Sequence, residues 1–196
     1  DVLIWNDVFP GTFFTPDGKT VAHLAPHGAV IMWCQAVDAG TATDWQAARV
    51  NGARLLLERY GVLPTRQHQH VPHALRRSVI ETLEGEFPDA FESARRSRFR
   101  EPSDVLLIGL VYHNWAVLQG LATVRAARQL TIGGDSADVV DPARLASIDF
   151  LCVNDVRGSA LDERSRRAKQ LLFESRLPIR GSAERVVRDS PEATAD

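Results

Sequence analysis

The sequence predicts a mixed α/β fold, rich in helix. Short apolar runs stand near both ends, Val2 to Trp5 and Phe150 to Val153, each bounded by polar turn residues. The stretch between them is dominated by segments whose apolar residues recur at helical spacing. Both apolar runs lead directly into an Asn-Asp pair, Asn6-Asp7 and Asn154-Asp155, so the strands are expected to feed polar groups into a cleft.

A chain of 196 residues is long enough for one domain with a real core, or for a large piece of a bigger one. With 44% hydrophobic and 24% charged residues it reads as globular rather than disordered. The formal net charge of -2 leaves no global basic field with which to grip nucleic acid, although arginines cluster locally at 95, 96, 98 and 100 and again at 164, 166 and 167. Cys34 and Cys152 each sit in an apolar run and read as small buried hydrophobes; no CxxC pair suggests zinc. No apolar stretch reaches the roughly 18 residues that span a bilayer, and no signal peptide is visible, so a cytoplasmic, membrane-peripheral location is expected. Asp1 opens directly onto a strand-like run, which leads us to expect further sequence before it.

Val2 to Trp5 is expected as a buried strand. Pro16-Asp17-Gly18 marks a turn, and the apolar run from Ala29 to Ala36 reads as a strand. Thr43-Asp44 caps a helix through Tyr60 that Gly61 stops. Leu75, Val79, Ile80, Leu83 and Phe87 mark an amphipathic helix, and Pro88-Asp89 ends or restarts it before a short basic helix from Ala90 to Phe99. Pro102-Ser103-Asp104 then opens a long apolar helix, Val105 to Ala126, with Tyr112, His113 and Trp115 as core or lining. Leu130 to Ile132 and Asp149 to Val153 are expected strands, Leu161 to Ser175 a charged helix, and 181–196 a polar, flexible tail.

Three places carry chemistry. The strand-end pairs Asn6-Asp7 and Asn154-Asp155 suit a metal or a sugar phosphate, or are ordinary turns. The segment His68-Gln69-His70-Val71-Pro72-His73 is dense in imidazole and held extended by Pro72, so metal ligation, acid/base work and anion contact are all open to it. Arg98 and Arg100 precede Pro102; a cation at a helix start is oddly placed for the dipole unless an anion binds there too.

Taken in order, these segments resemble the later conserved regions of the Stealth family, which includes bacterial capsular polysaccharide phosphotransferases and the animal enzyme that places N-acetylglucosamine-1-phosphate on lysosomal glycoproteins. Ile4-Trp5-Asn6-Asp7-Val8-Phe9-Pro10-Gly11, with Phe13-Phe14-Thr15-Pro16-Asp17-Gly18, is similar to the end of the second region. Trp45, Arg49, Asn51, Leu55 and Leu56, then His70-Val71-Pro72-His73-Ala74-Leu75-Arg76, Phe87-Pro88, Phe91, Arg98-Phe99-Arg100 and Asp104 resemble the third. Phe150 to Asp155, with Leu177-Pro178, resembles the fourth. The family carries Asn-Asp-Asp before the valine of the second region; here Asn6 replaces the first aspartate and Asp7 matches the second. The first region has no counterpart in this sequence and is expected upstream.

The resemblance implies that residues 1–180 form the C-terminal part of a nucleotide-sugar-transferase-like core. It implies transfer of a sugar-1-phosphate from a UDP-sugar such as UDP-N-acetylglucosamine to a saccharide hydroxyl, in capsule or exopolysaccharide synthesis. His70 is then the catalytic histidine, Arg100 the phosphate clamp and Asp7 the carboxylate for a magnesium or manganese ion or for the acceptor. His73, Asn51, Asn154 and Asp155 complete the substrate site. Two rivals stand beside this reading. One is a hydrolase with metal on His68, His70 and His73; the other is a carbohydrate-binding module using Trp5, Trp33, Trp45 and Trp115.

Overall fold

The structure, a computed structural model, describes residues 2–26, 28–99, 101–133, 141–154 and 163–177. Two compact units divide them; the stretch 163–177 falls in the second and is treated by itself. Arg100, Asp155 and the expected tail at 181–196 lie outside the described residues. The strands are β1 (Val2–Ile4), β2 (Thr20–His23), β3 (Ala122–Arg125), β4 (Gln129–Gly133) and β5 (Phe150–Asn154). The helices are α1 (Ala29–Asp38), α2 (Asp44–Tyr60), α3 (Arg77–Glu86), α4 (Pro88–Arg96), α5 (His113–Leu118), α6 (Pro142–Ala146) and α7 (Glu163–Arg176). The expected mixed, helix-rich α/β class is what the chain adopts, and no described helix is long and apolar enough to cross a membrane.

The strands form two small sheets. In one, β5 lies between β1 and β4, and β1 runs antiparallel to β5 with Val2 opposite Cys152 and Ile4 opposite Phe150. The turn after β1 is tied down by Asn6, whose Nδ2 donates to the carbonyls of Ile148 at 2.6 Å and Leu145 at 3.1 Å. In the other, β2 pairs parallel with β3, and all four β2 residues are buried. A parallel pair needs a long crossover, which the helical middle of the chain supplies.

The α2 boundaries follow their local chemistry. Gln46 Oε1 accepts from the Thr43 N–H at 2.8 Å, and Gly61 closes the helix at φ 68, a left-handed conformation that only glycine adopts cheaply. Pro88 ends α3 and begins α4 in the N-terminal position where its missing N–H costs nothing. One apolar core gathers Leu56, Val79, Leu83, Phe87, Phe91, Val111, Tyr112 and Trp115, and a second gathers Val30, Trp33, Val50, Ala53 and Leu110. Both cysteines are free, Cys152 buried and Cys34 half-buried.

Three expectations give way, the first being that β1 is a buried strand, since Val2 and Ile4 are exposed. The run from Ala29 to Ala36 is helical rather than extended: Val30 and Trp33 are buried while Ile31 and Met32 between them are exposed, a helical period hidden in an all-apolar stretch. The long helix from Val105 to Ala126 is not continuous. Pro102–Asp104 is a turn, in which Asp104 accepts from the Glu101 N–H at 2.9 Å and from Ser97 Oγ at 3.1 Å. A π-helical turn over Leu107–Tyr112 follows, with the Val111 N–H on the Leu106 carbonyl, and only then α5. Gly120, at φ 69, ends the helical run, and Ala122–Arg125 becomes β3 because it has buried β2 to pair with. The helical run therefore begins at Leu107 rather than at Val105, and Arg98 lines a cavity of about 270 Å³ with Asp104, Val105 and Leu106 at its start. Tyr112, His113 and Trp115 are buried as expected.

Glycine at 52 lets α2 approach this central helix. A Cβ there would lie 3.0 Å from Val111 Cγ2 and 3.2 Å from Leu110 Cδ2. Asn51 next to it donates through Nδ2 to the carbonyls of Pro102 at 2.8 Å and Asp104 at 2.9 Å. Together they fix the start of the central helix against α2.

Candidate active site

The histidine segment is positioned by backbone pairing at the end of β2. The Ala25 N–H donates to the Gln67 carbonyl at 2.9 Å, and the Gln69 N–H to the His23 carbonyl at 2.7 Å. The pairing stops after the bridge at His68, where the Val71 N–H turns back onto the Gln69 carbonyl at 2.8 Å and lets His70 face a different way from His68. Gln69 anchors the segment from one side, its Oε1 accepting from the Ala127 N–H at 2.7 Å. His68 is buried on the core side, whereas His70 is exposed and lines a cleft of about 360 Å³ with Trp45, Arg49, Gln67, Leu106 and Asn154.

Arg49 is the charged group of this cleft. It sits one turn after Trp45 on α2, so the indole and the guanidinium share a helix face. The guanidinium lies 4.4 Å from the Trp45 ring centroid and 5.3 Å from that of Trp33. Its Nε donates to Gln67 Oε1 at 3.1 Å and its Nη1 to the Trp45 carbonyl at 3.0 Å. These contacts hold a planar cation at the cleft wall. Desolvation, and then the Arg49 charge, push the His70 imidazole below its ordinary pKa, so it is neutral and able to accept a proton near pH 7. Asn154 enters from the end of β5, its Oδ1 accepting from Cys152 Sγ at 3.3 Å.

Of the residues expected from sequence, His70 and Asn154 meet in this cleft. Asp7 does not join them. Because β1 and β5 are antiparallel, the residues after Ile4 leave at the Phe150 end, while Asn154 lies four residues along β5 at the other. At about 3.3 Å per residue that is roughly 13 Å of strand. Asn6-Asp7 and Asn154 therefore stand at opposite ends of one ladder, and Asp7 is exposed at the far one. Asn51 spends its N–H groups on backbone carbonyls, as above, and acts by positioning. His73 is exposed, and its Nδ1 lies 2.7 Å from His113 Nε2 in a hydrogen bond. Arg100 and Asp155 lie outside the described residues.

Behind His70 stands a stack of three imidazoles, His68, His73 and His113. Ring centroids are 3.9 Å apart for His68 and His113 and 4.2 Å for His68 and His73. Burial first, then the neighbouring histidines, lower the His68 pKa to about 3 and that of His113 to about 2. This trio is the group of metal-ligating side chains that converges among the described residues, one nitrogen from each lying within 4.8 Å of the others. It takes His113 in place of the His70 that a metal hydrolase was expected to use. It contains no carboxylate, so the described residues do not assemble the oxygen donors that magnesium or manganese prefers. Of the four tryptophans only Trp45 is exposed; Trp5, Trp33 and Trp115 are core.

From the sequence, Arg49 counted only toward the third-region resemblance and His113 only as core or lining, and Gln67 carried no expectation. The i, i+4 pairing of Trp45 with Arg49 was a readable signal for the first. Gln67 and His113 carry no local signal, since they reach the site through a β-bridge and a π-turn.

A neutral imidazole, an arginine packed against indoles and a strand-end amide in one open cleft are groups whose chemistry suits contact with an anionic small molecule. Residues 69–117 match the model of Stealth protein conserved region 3, so the chain carries a Stealth-type segment. It is 36% identical over 159 residues to an exopolysaccharide phosphotransferase of Nocardia farcinica, covering 76% of this chain and 31% of that one. A Streptomyces coelicolor exopolysaccharide phosphotransferase is 35% identical over 122 residues, 62% of this chain and 20% of the relative. The exopolysaccharide phosphotransferase CpsY of Mycobacterium leprae is 32% identical over 149 residues, 73% and 27%. The chain thus spans between a fifth and a third of the length of these curated relatives.

Proposed function

We propose that this chain carries the catalytic histidine cleft of a sugar-1-phosphate transferase acting in exopolysaccharide or capsule synthesis. The donor is a UDP-sugar and the acceptor a saccharide hydroxyl. The hydroxyl oxygen bonds to the phosphorus next to the sugar, the bond from that phosphorus to the UMP oxygen breaks, and a phosphodiester joins the two sugars. The acceptor proton passes to His70. Support for this reading comes from the convergence of His70, Arg49 and Asn154 on one cleft, and from the name phosphotransferase shared by the relatives.

Each group has a task that its chemistry suits. His70, kept neutral, takes the proton as general base. Arg49, packed against two indoles, places positive charge where phosphate oxygens gain negative charge. Asn154 contacts the sugar or the diphosphate, and Trp45 offers an exposed ring face to a sugar or base. Arg100 and Asp155, outside the described residues, keep the clamp and substrate roles that the family resemblance implies. His73 orients the loop through His113, and Asn51 orients the turn at 102–104. Asp7 stands apart from this cleft, at the far end of the β1–β5 ladder. A cytoplasmic location at the membrane face belongs to the same proposal.

The test is UMP release from a UDP-sugar by the full-length protein. His70→Ala and Arg49→Ala should each abolish acceptor-dependent release while the far-UV spectrum stays unchanged. Wild-type rates in folded variants would remove these roles. Release without any acceptor would favour hydrolysis instead.

A further inference from the structure

We propose that His68, His73 and His113 form a binding site for a zinc-class divalent cation, which cross-links the histidine segment to the central helix. The site stands apart from the transfer reading, since it uses none of the groups that line the cleft.

The argument begins with ring tautomers. His68 Nδ1 lies 2.9 Å from the Gln69 carbonyl, which can only accept, so Nδ1 carries the hydrogen and Nε2 holds a lone pair. His68 is 5% exposed, and this Nε2 is buried without a hydrogen-bond partner among the described residues. His113 is fully buried and its Nδ1 is likewise without a partner. An orphaned N–H at that depth would be the costlier choice, so His113 donates Nε2–H to His73 and keeps its second lone pair on Nδ1. Two buried imidazoles stacked at 3.9 Å therefore hold lone pairs that the fold itself does not use.

A backbone carbonyl that holds one ring N–H while the other nitrogen is left open is the arrangement that orients histidine ligands to metals. His73, exposed at the mouth of the stack, is the way in and supplies the third nitrogen by exchanging its hydrogen bond to His113 for the cation. His23 approaches His68 edge-on at 6.1 Å, but its Nε2 is committed to the Thr12 carbonyl, and it stays outside the group. Three neutral nitrogen donors without a carboxylate select zinc or a similar borderline cation over magnesium or calcium. Zinc–nitrogen bonds of about 2.1 Å set tetrahedral ligand atoms roughly 3.4 Å apart, so the group must close from its 4.8 Å span. A cation so held joins segments that are 40 residues apart and braces the loop carrying His70 from behind.

The experiment strips the full-length protein with chelator and titrates it with zinc, reading stoichiometry and affinity by calorimetry and ligand geometry by cobalt(II) substitution. The wild type should take up zinc at this site and melt at a higher temperature with it. His73→Ala, an exposed change that spares the core, should weaken zinc by more than about tenfold, since even an outer partner of a metal ligand is worth 10–100-fold. His113→Gln should do the same, and His70→Ala should bind as the wild type does. A wild type that stays metal-free, a folded His73→Ala variant with unchanged affinity, or an equal loss in His70→Ala would each overturn the assignment.

Discussion

Acidifying the metal-free protein from about pH 7 to about pH 5 should cost it about 4 kcal/mol of stability, and two buried rings account for the figure. His68 and His113 are 5% and 0% exposed, and their pKa values fall to about 3 and about 2. In the unfolded chain both return to about 6.5. Below that value the unfolded state binds protons that the folded state refuses, so stability is present in full above pH 6.5 and drains as pH falls. Each unit is worth about 1.4 kcal/mol per ring, which over roughly 1.5 units gives about 2 kcal/mol for each of the two. The groups facing them, His23, His70 and His73, are also lowered, chiefly by desolvation, and so add in the same direction. Denaturant melts in chelator at both pH values measure the difference. A loss that large is comparable with the whole stability of many domains. A midpoint that does not move between about pH 7 and pH 5 would refute the view that both inner rings stay neutral.

Further outcomes follow from the packing. Asn51→Ala leaves the Pro102 and Asp104 carbonyls without their partner and should cost about 1–3 kcal/mol in denaturant melts, with the histidine stack intact. Gly52→Val pushes branches into Val111 and Leu110 and should destabilise by about 1–3 kcal/mol, whereas Gly85→Ala, with open space around its Cβ, should be neutral or better. Trp115→Phe removes the Nε1 donor to Tyr60 Oη at 2.9 Å, so near-ultraviolet dichroism and stability should both change, with a cost of about 1 kcal/mol.

Local chemistry decided which parts of the fold could be read in advance. The Thr43 cap, the Gly61 stop and the Pro88 restart act within a few residues, and α2, α3 and α4 lie where those signals put them. The Val30 and Trp33 face of α1 was legible only as an apolar run, because Ile31 and Met32, though exposed, are as apolar as their buried neighbours. The strand β3 depended on a partner a hundred residues earlier, and the π-turn on crowding against α2; neither has a signature within its own window. The site divides the same way. His70 stood out by its neighbours Pro72 and His73, whereas His113 is one ring in a buried apolar helix until the chain folds it onto His68. The expected alliance of Asp7 with Asn154 failed because similar sequence motifs say nothing of strand direction, and these two strands run opposite ways.

The central claim is that Arg49 holds the phosphates while His70 moves the proton, and equilibrium binding of a UDP-sugar to the full-length protein separates the two. Arg49→Ala should weaken binding by about tenfold or more, the worth of a charge-assisted contact, and His70→Ala should bind as the wild type does yet release no UMP. Unchanged affinity in Arg49→Ala, or normal turnover in His70→Ala, would contradict the account.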